Sequence, residues 1–380
     1  MGTTNARSTK SYRIRKNTIK TQVHPNESIS SWFIRAALDC GTKPLTFTGF
    51  YWDKYRLWTY DLDRGLERID PNIYIDITIL SLNSSVKLQK QCLLSILDKV
   101  NDKSSSFQSN TKWIIPRGSR NRTHNIGQYY CPYCLAEAPY LHNEWRLAWN
   151  FGCLKHGVLL NNKCMTCGSL YQPHHLSPPH TSIDYCHNCN TSLTSLYSKE
   201  LNQPQVIALK TIDTVFKTNT GYGLGQHINS DTYFSILRYF INLLRRAAQV
   251  NSTHAIAKFV TQLGINSTEV CIPKTGLSFE LLPLKERENL IINAVSIMNL
   301  RQATLINAIR KSQITKKAFA FEHYPEELIT IIKYALVGKS VPNKRPVIKK
   351  NTQSIRMLSR KWECLKRQLK IENDEKNYRT

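Results

Sequence analysis

Acidic residues are scarce in this chain. Its 380 residues hold 27 Asp and Glu against 52 Lys and Arg, a net charge of +25 with a pI near 9.7. So few carboxylates give no support to a nuclease-like acid cluster on a mixed sheet. The imbalance predicts a polyanionic partner, since self-repulsion of this size opposes compactness unless something neutralises it. Long apolar runs are also missing: no stretch reaches the roughly 18 residues of a membrane span. Met1–Lys20 carries six Lys/Arg, no acid and no apolar core, which argues against a secretory signal, and Ala6 stands where a myristoylation signal wants Ser or Thr. Gly221, Gly223 and Gly225 alternate with other residues, but no Lys-Ser/Thr pair follows, so a flexible connector is expected there rather than a phosphate loop.

Cysteine is the residue present in a pattern. Cys131-Pro-Tyr-Cys134 and Cys153-Leu-Lys-His156 form one set of paired residues; Cys164-Met-Thr-Cys167 and Cys186-His-Asn-Cys189 form another. In each set 18 residues separate the first pair from the second. A two-residue gap lets both donors of a pair grip one tetrahedral ion. The pattern therefore predicts two structural Zn2+ sites, one of three cysteines and a histidine and one of four cysteines. Four protein ligands leave no position for water or substrate. The remaining cysteines, Cys40, Cys92, Cys271 and Cys364, are scattered among apolar or helical neighbours, which suits a reducing compartment, the cytoplasm, better than a disulfide framework.

The pattern predicts a mainly α protein with a basic flexible arm over 1–24, an amino-terminal helical, helix-turn-helix-like domain with a linker over 25–128, a tandem zinc module over 129–197 and a helical domain with a basic tail over 198–380. Ser28 is the expected cap of a first helix whose Ile29, Trp32, Phe33, Ala36 and Ala37 share one apolar face, with Gly41 as its stop. A further helix is expected over 85–100. Others are expected over 204–217, 231–249, 284–298, 300–311, 325–337 and 352–370. The last would turn Ile355, Leu358, Trp362, Leu365 and Leu369 inward and Arg360, Lys361, Lys366, Arg367 and Lys370 outward.

Enzymatic readings find little support. His142-Asn-Glu144 upstream of Cys164-x-x-Cys167 has the outline of a zinc deaminase, in which the Glu shuttles protons to a metal-bound water. Lys163 stands where that motif needs Pro, and the reading would orphan six metal-type residues. No catalytic residue is assigned. Arg117, Arg120 and Arg122 beside Trp113 either track a phosphate backbone or form a solvated segment. The same alternatives hold for Arg360, Lys361, Arg367 and Lys370.

The order of the motifs resembles one family. Pro25-Asn-Glu27-Ser28-Ile29-Ser-Ser31-Trp32-Phe33-Ile34-Arg35, Gln128-Tyr-Tyr-Cys131-Pro-Tyr-Cys134, Trp145-Arg146, Gly152-Cys153-x-x-His156-Gly157 and Cys164-x-x-Cys167-Gly168 together are similar to TniQ, the transposon target-selection family that includes TnsD. The resemblance implies a non-catalytic adaptor that links a target-recognition device to the transposition machinery, including a TnsC-like AAA+ ATPase. The modest length looks closer to members that associate, as homodimers, with an RNA-guided Cascade complex and its guide RNA. Members like TnsD instead read target DNA directly. Either implies a bacterial protein acting at the nucleoid.

Overall fold

The computed structural model describes residues 19–53, 55–66, 69–100, 111–117, 126–195, 197–266, 270, 277–319, 326–336, 357–363 and 365–366. Among these the protein is mainly helical, with two short antiparallel hairpins. The chain divides into two compact units, the first made of Met1–Leu97, Arg117–Arg146 and Leu160–Ser198, and the second of Asp98–Pro116, Leu147–Leu159 and Lys199–Thr380.

In the first unit, helix α1 (Ile29–Asp39) begins where the Ser28 hydroxyl accepts the Ser31 N–H. It ends in a Schellman turn: Gly41, at φ +64°, donates to the Leu38 carbonyl and Thr42 to that of Ala37. One apolar face was expected, yet α1 is buried almost all round, Ser30 and Ser31 included. The polar side chains are tolerated because they have internal partners. The Ser30 N–H and hydroxyl both donate to Asp63 at 2.8 Å, and the Ser31 hydroxyl donates to Glu27 at 2.8 Å. Around α1, Trp32 and Phe33 pack with Phe47 and Trp52 of and beside α2 (Pro44–Tyr51), and with Ile73 and Ile77 of α3 (Pro71–Ser81). The outward side of α2 shows Leu45, Thr46 and Phe50, with no Arg, Lys, Asn or Gln in the helix.

The single helix expected over 85–100 is interrupted. It forms α4 (Ser85–Lys90), α5 (Leu93–Leu97) and a 3-10 turn at Asp98–Val100. The break has a cause: the N–H groups of Leu93 and Leu94 donate to the carbonyls of Asp63 and Arg64, at 2.7 and 3.0 Å, rather than continuing from α4. Helix α6 (Pro132–Glu137) lies farther along the chain, with Cys131 as its N-cap and Cys134 within it.

In the second unit the short strands β1 (Gly152–Cys153) and β2 (Val158–Leu159) pair antiparallel. Helix α7 (Gln203–Thr218) opens with a capping box, Asn202 and Gln205 each accepting the other's backbone N–H. Then comes a hairpin of β3 (Thr220–Gly223) and β4 (Gln226–Asn229), where a flexible connector was expected. Its two-residue turn, Leu224 at φ +56° and Gly225 at φ +80°, has the positive angles of a type I′ turn. Helix α8 (Ser230–Ala247) is the centre of the unit and packs on α7, α9 (Ala255–Gln262) and α10 (Leu284–Met298). Helices α11 (Gln302–Lys311), α12 (Lys316–Phe319) and α13 (Glu326–Leu336) complete it.

Two expectations are corrected here. Residues 111–116, assigned to a linker, are packed into the unit. Trp113 is buried with its ring edge-on to Trp149, Phe234 and Phe279, and its N–H donates to Glu280 at 2.9 Å. The terminal helix, described over 357–363 and 365–366, does not turn its apolar side chains inward: Leu358 is 51% exposed, Trp362 57% and Leu365 48%. Ile355 and Leu369 lie outside the described residues.

Candidate metal centres

Three of the four ligand pairs are built the same way. In Cys153–His156, Cys164–Cys167 and Cys186–Cys189 the next residue, Gly157, Gly168 or Asn190, has φ between +61° and +72°. Its N–H turns back to the carbonyl of the pair's first residue at 2.8–2.9 Å. Left-handed backbone is open to Gly and tolerated by Asn, which accounts for the residue types after these pairs. Next in line, the Cys164 N–H donates to Ser169 and the Cys186 N–H to Thr191, at 2.8 and 2.9 Å, closing each knuckle. The Cys131–Cys134 pair differs. Pro132 starts α6, and the turn that brings the two sulfurs together is helical.

All eight predicted ligands come together in two groups: Cys131, Cys134, Cys153 and His156, and Cys164, Cys167, Cys186 and Cys189. Within each group the four donor atoms lie within 4.8 Å of one another. The individual separations suit a tetrahedral ion. With Zn–S near 2.3 Å and Zn–N near 2.0 Å, ideal angles put two sulfurs about 3.8 Å apart and a sulfur and a nitrogen about 3.5 Å apart. The Cys164–Cys189 and Cys167–Cys186 sulfurs stand 3.6 and 3.7 Å apart, and Cys153 Sγ is 3.5 Å from His156 Nδ1. None of these cysteines forms a disulfide. Both donor sets therefore fit a zinc ion with no place left for a fifth ligand.

Around the four-cysteine set, polar groups favour thiolate. The Ser169 hydroxyl and N–H, then Asn188, bring the Cys167 thiol down to about 6. Asn188 Nδ2 donates to Cys167 Sγ at 3.6 Å, and the Asn188 N–H to Cys186 Sγ at 3.4 Å. Burial drives the Cys186 thiol the other way, up to about 12, a cost that a bound cation would reverse. Tyr130 and Tyr171 lie behind the set, edge-on at 5.1 Å, and their hydroxyls donate to the carbonyls of Lys163 and Ile183.

His142 and Glu144 join neither group. His142 stacks on Tyr140 and lies tilted against Trp145, and Glu144 is mostly exposed. The deaminase outline thus has no counterpart in the ligand geometry.

A second polar constellation was not foreseen from the sequence. Arg146 grips Asp61 with two hydrogen bonds of 2.6 Å and reaches Asp63 at 3.0 Å. Arg117 approaches Asp63 at 3.4 Å and donates to Gln128 at 2.8 Å. Burial alone would raise the Asp63 carboxyl, but Arg117, Arg146 and the Ser30 donors hold it below the ordinary carboxylate value. Nearby, Glu27 pairs with Arg35 at 2.9 Å; there burial prevails and the carboxyl is pushed up. Arg117, singled out above for backbone contact, thus points into the fold. Arg360 belongs to the terminal helix, with Lys361 exposed beside it, while Arg120, Arg122, Arg367 and Lys370 lie outside the described residues.

Residues 18–160 match the family model TniQ. That stretch holds Glu27, Ser31, Arg35, Asp63, Arg146 and the whole first ligand set, Cys131 to His156, and it ends before the four-cysteine set. No curated protein matches the chain. The match supports the TniQ family for that part of the protein, and a TniQ domain fits a role in choosing transposition targets.

Proposed function

We propose that this chain, whose residues 18–160 carry the TniQ match, is a target-selection adaptor for transposition that couples an RNA-guided Cascade complex to a TnsC-like AAA+ ATPase. The observation that carries the reading is the family match over residues 18–160, a stretch that holds one complete four-ligand set. Such a protein can hold partners and has no vacant coordination for turnover. Its contribution would be effective concentration, since docking the regulator at a chosen site raises its local level by orders of magnitude without any chemistry. The charge of +25 supports a nucleic-acid-containing assembly as the docking surface.

The same charge favours a second reading, direct DNA recognition of the TnsD kind. One experiment separates them. The full chain is expressed with the genes neighbouring it, purified with nucleic acid retained, and the bound nucleic acid sequenced. Co-purification of Cascade subunits with guide RNA is the expected result. A footprint on a DNA fragment without guide RNA would give the direct reader instead.

A further inference from the structure

The terminal helix over 357–366 is built like a docking element. At 100° per residue, Leu358, Trp362 and Leu365 fall within an arc of about 60°, and Lys361 and Lys366 flank it at about 60° to 80° on either side of Leu358. All five are exposed. The Lys366 ammonium stands 5.7 Å from the Trp362 ring centre and 3.2 Å from Glu363. Arg360 lies about 160° round the helix from Trp362. Its Nε is buried and its charge bears on Arg245 of α8, so this side meets the unit and the apolar strip faces away.

Four kinds of occupant can be compared. Nucleic acid would engage the lysines but leave three apolar side chains in water. Membrane binding scales with the apolar area buried, and three side chains along a short helix offer little of it. A second copy pairing along the same strip would set Lys361 against Lys366 in a parallel arrangement, and each lysine against its own counterpart in an antiparallel one, so like charges meet either way. A protein groove or helix that is apolar along its floor and acidic along its rims satisfies both features at once.

We propose that residues 357–366 dock into an acid-rimmed apolar groove of a partner protein, with Trp362 as the anchor. The proposal goes beyond the adaptor reading and does not depend on which target device the chain serves. Its test uses the full-length protein at physiological salt with two fluorescein-labelled helical peptides, both with Leu at heptad positions a and d. One carries Glu at e and g, the other Lys. Fluorescence anisotropy should show binding of the Glu peptide at least tenfold tighter than of the Lys peptide. Trp362→Ala should weaken it about tenfold with circular dichroism and zinc content unchanged, because this side chain is 57% exposed. Lys361→Glu with Lys366→Glu should reverse the preference between the peptides. Equal binding of both peptides, or indifference to Trp362→Ala, overturns the proposal. So does Trp362-dependent binding to phosphatidylserine vesicles without peptide binding, or a Trp362→Ala variant that changes only the sedimentation of the protein with itself.

Discussion

Donor atoms within 4.8 Å of one another crowd negative sulfurs that a bound cation would neutralise. Cysteine spacing is a local signal, because a knuckle closes within five residues, and all eight ligands could be named before any contact was known. Cys164→Ser should therefore release one zinc of two and melt the region around it. Binding at such sites is folding energy, on the order of 10 kcal/mol, and metal analysis with circular dichroism checks both effects. The sequence does not reveal Asp61 and Asp63 because their partners, Arg117 and Arg146, are 54 to 85 positions away, and nothing local marks a carboxylate as buried. Asp63→Asn should cost about 3–5 kcal/mol by leaving arginine charge uncompensated. The sign of its pH dependence follows from the lowered carboxyl. The stabilisation is fully present above the unfolded value of about 3.9 and is lost as pH falls through the lower folded value. The stability gap between wild type and variant, read by urea melts, should stay flat from about pH 8 to pH 5 and begin to close only near pH 4. A gap that widened in acid would contradict the assignment.

Among the elements, those read correctly are the ones whose pattern is self-contained. Helix α10 spans Leu284–Met298 as expected, and α1, α7, α8 and α13 lie within a few residues of their periodic stretches. The failures occur where distant backbone intervenes. The donors that α5 shares with Asp63 and Arg64 break a helix that periodicity alone would carry to Val100. Trp113 looked like part of a linker because its flanks are polar, yet Glu280 accepts its N–H while pairing with Arg238 at 2.6 Å. At the knuckles the sequence carries more than it first shows, since the residue after the second ligand is chosen for its backbone. A Cβ at Gly168 would meet no atom within 4 Å, so Gly168→Ala should cost only the left-handed strain, about 1–2 kcal/mol, with zinc retained. Thermal melts and metal content together measure this; zinc loss in that variant would mean that the turn itself, and not only the sulfurs, sets the ligand positions.

For the whole molecule, the excess of cations and the internal ion pairs respond differently to salt. Arg146 is 3% exposed and its carboxylate Asp63 0%, so this pairing lies beyond the reach of dissolved ions. The surface charge behind +25 is not, and it acts against compactness wherever no partner neutralises it. The screening length falls from about 10 Å at 0.1 M salt to about 3 Å at 1 M, which removes most repulsion between exposed cations and little of the buried attraction. The isolated protein should accordingly become more stable as sodium chloride rises, by several degrees in Tm in a calorimetric scan at fixed zinc. Bound to a polyanion, the same chain should show the opposite slope, because salt then weakens the contacts that offset its charge. A Tm that fell with salt in the free protein would mean that exposed ion pairs outweigh the repulsion, and the case for a polyanionic partner would lose its main physical ground.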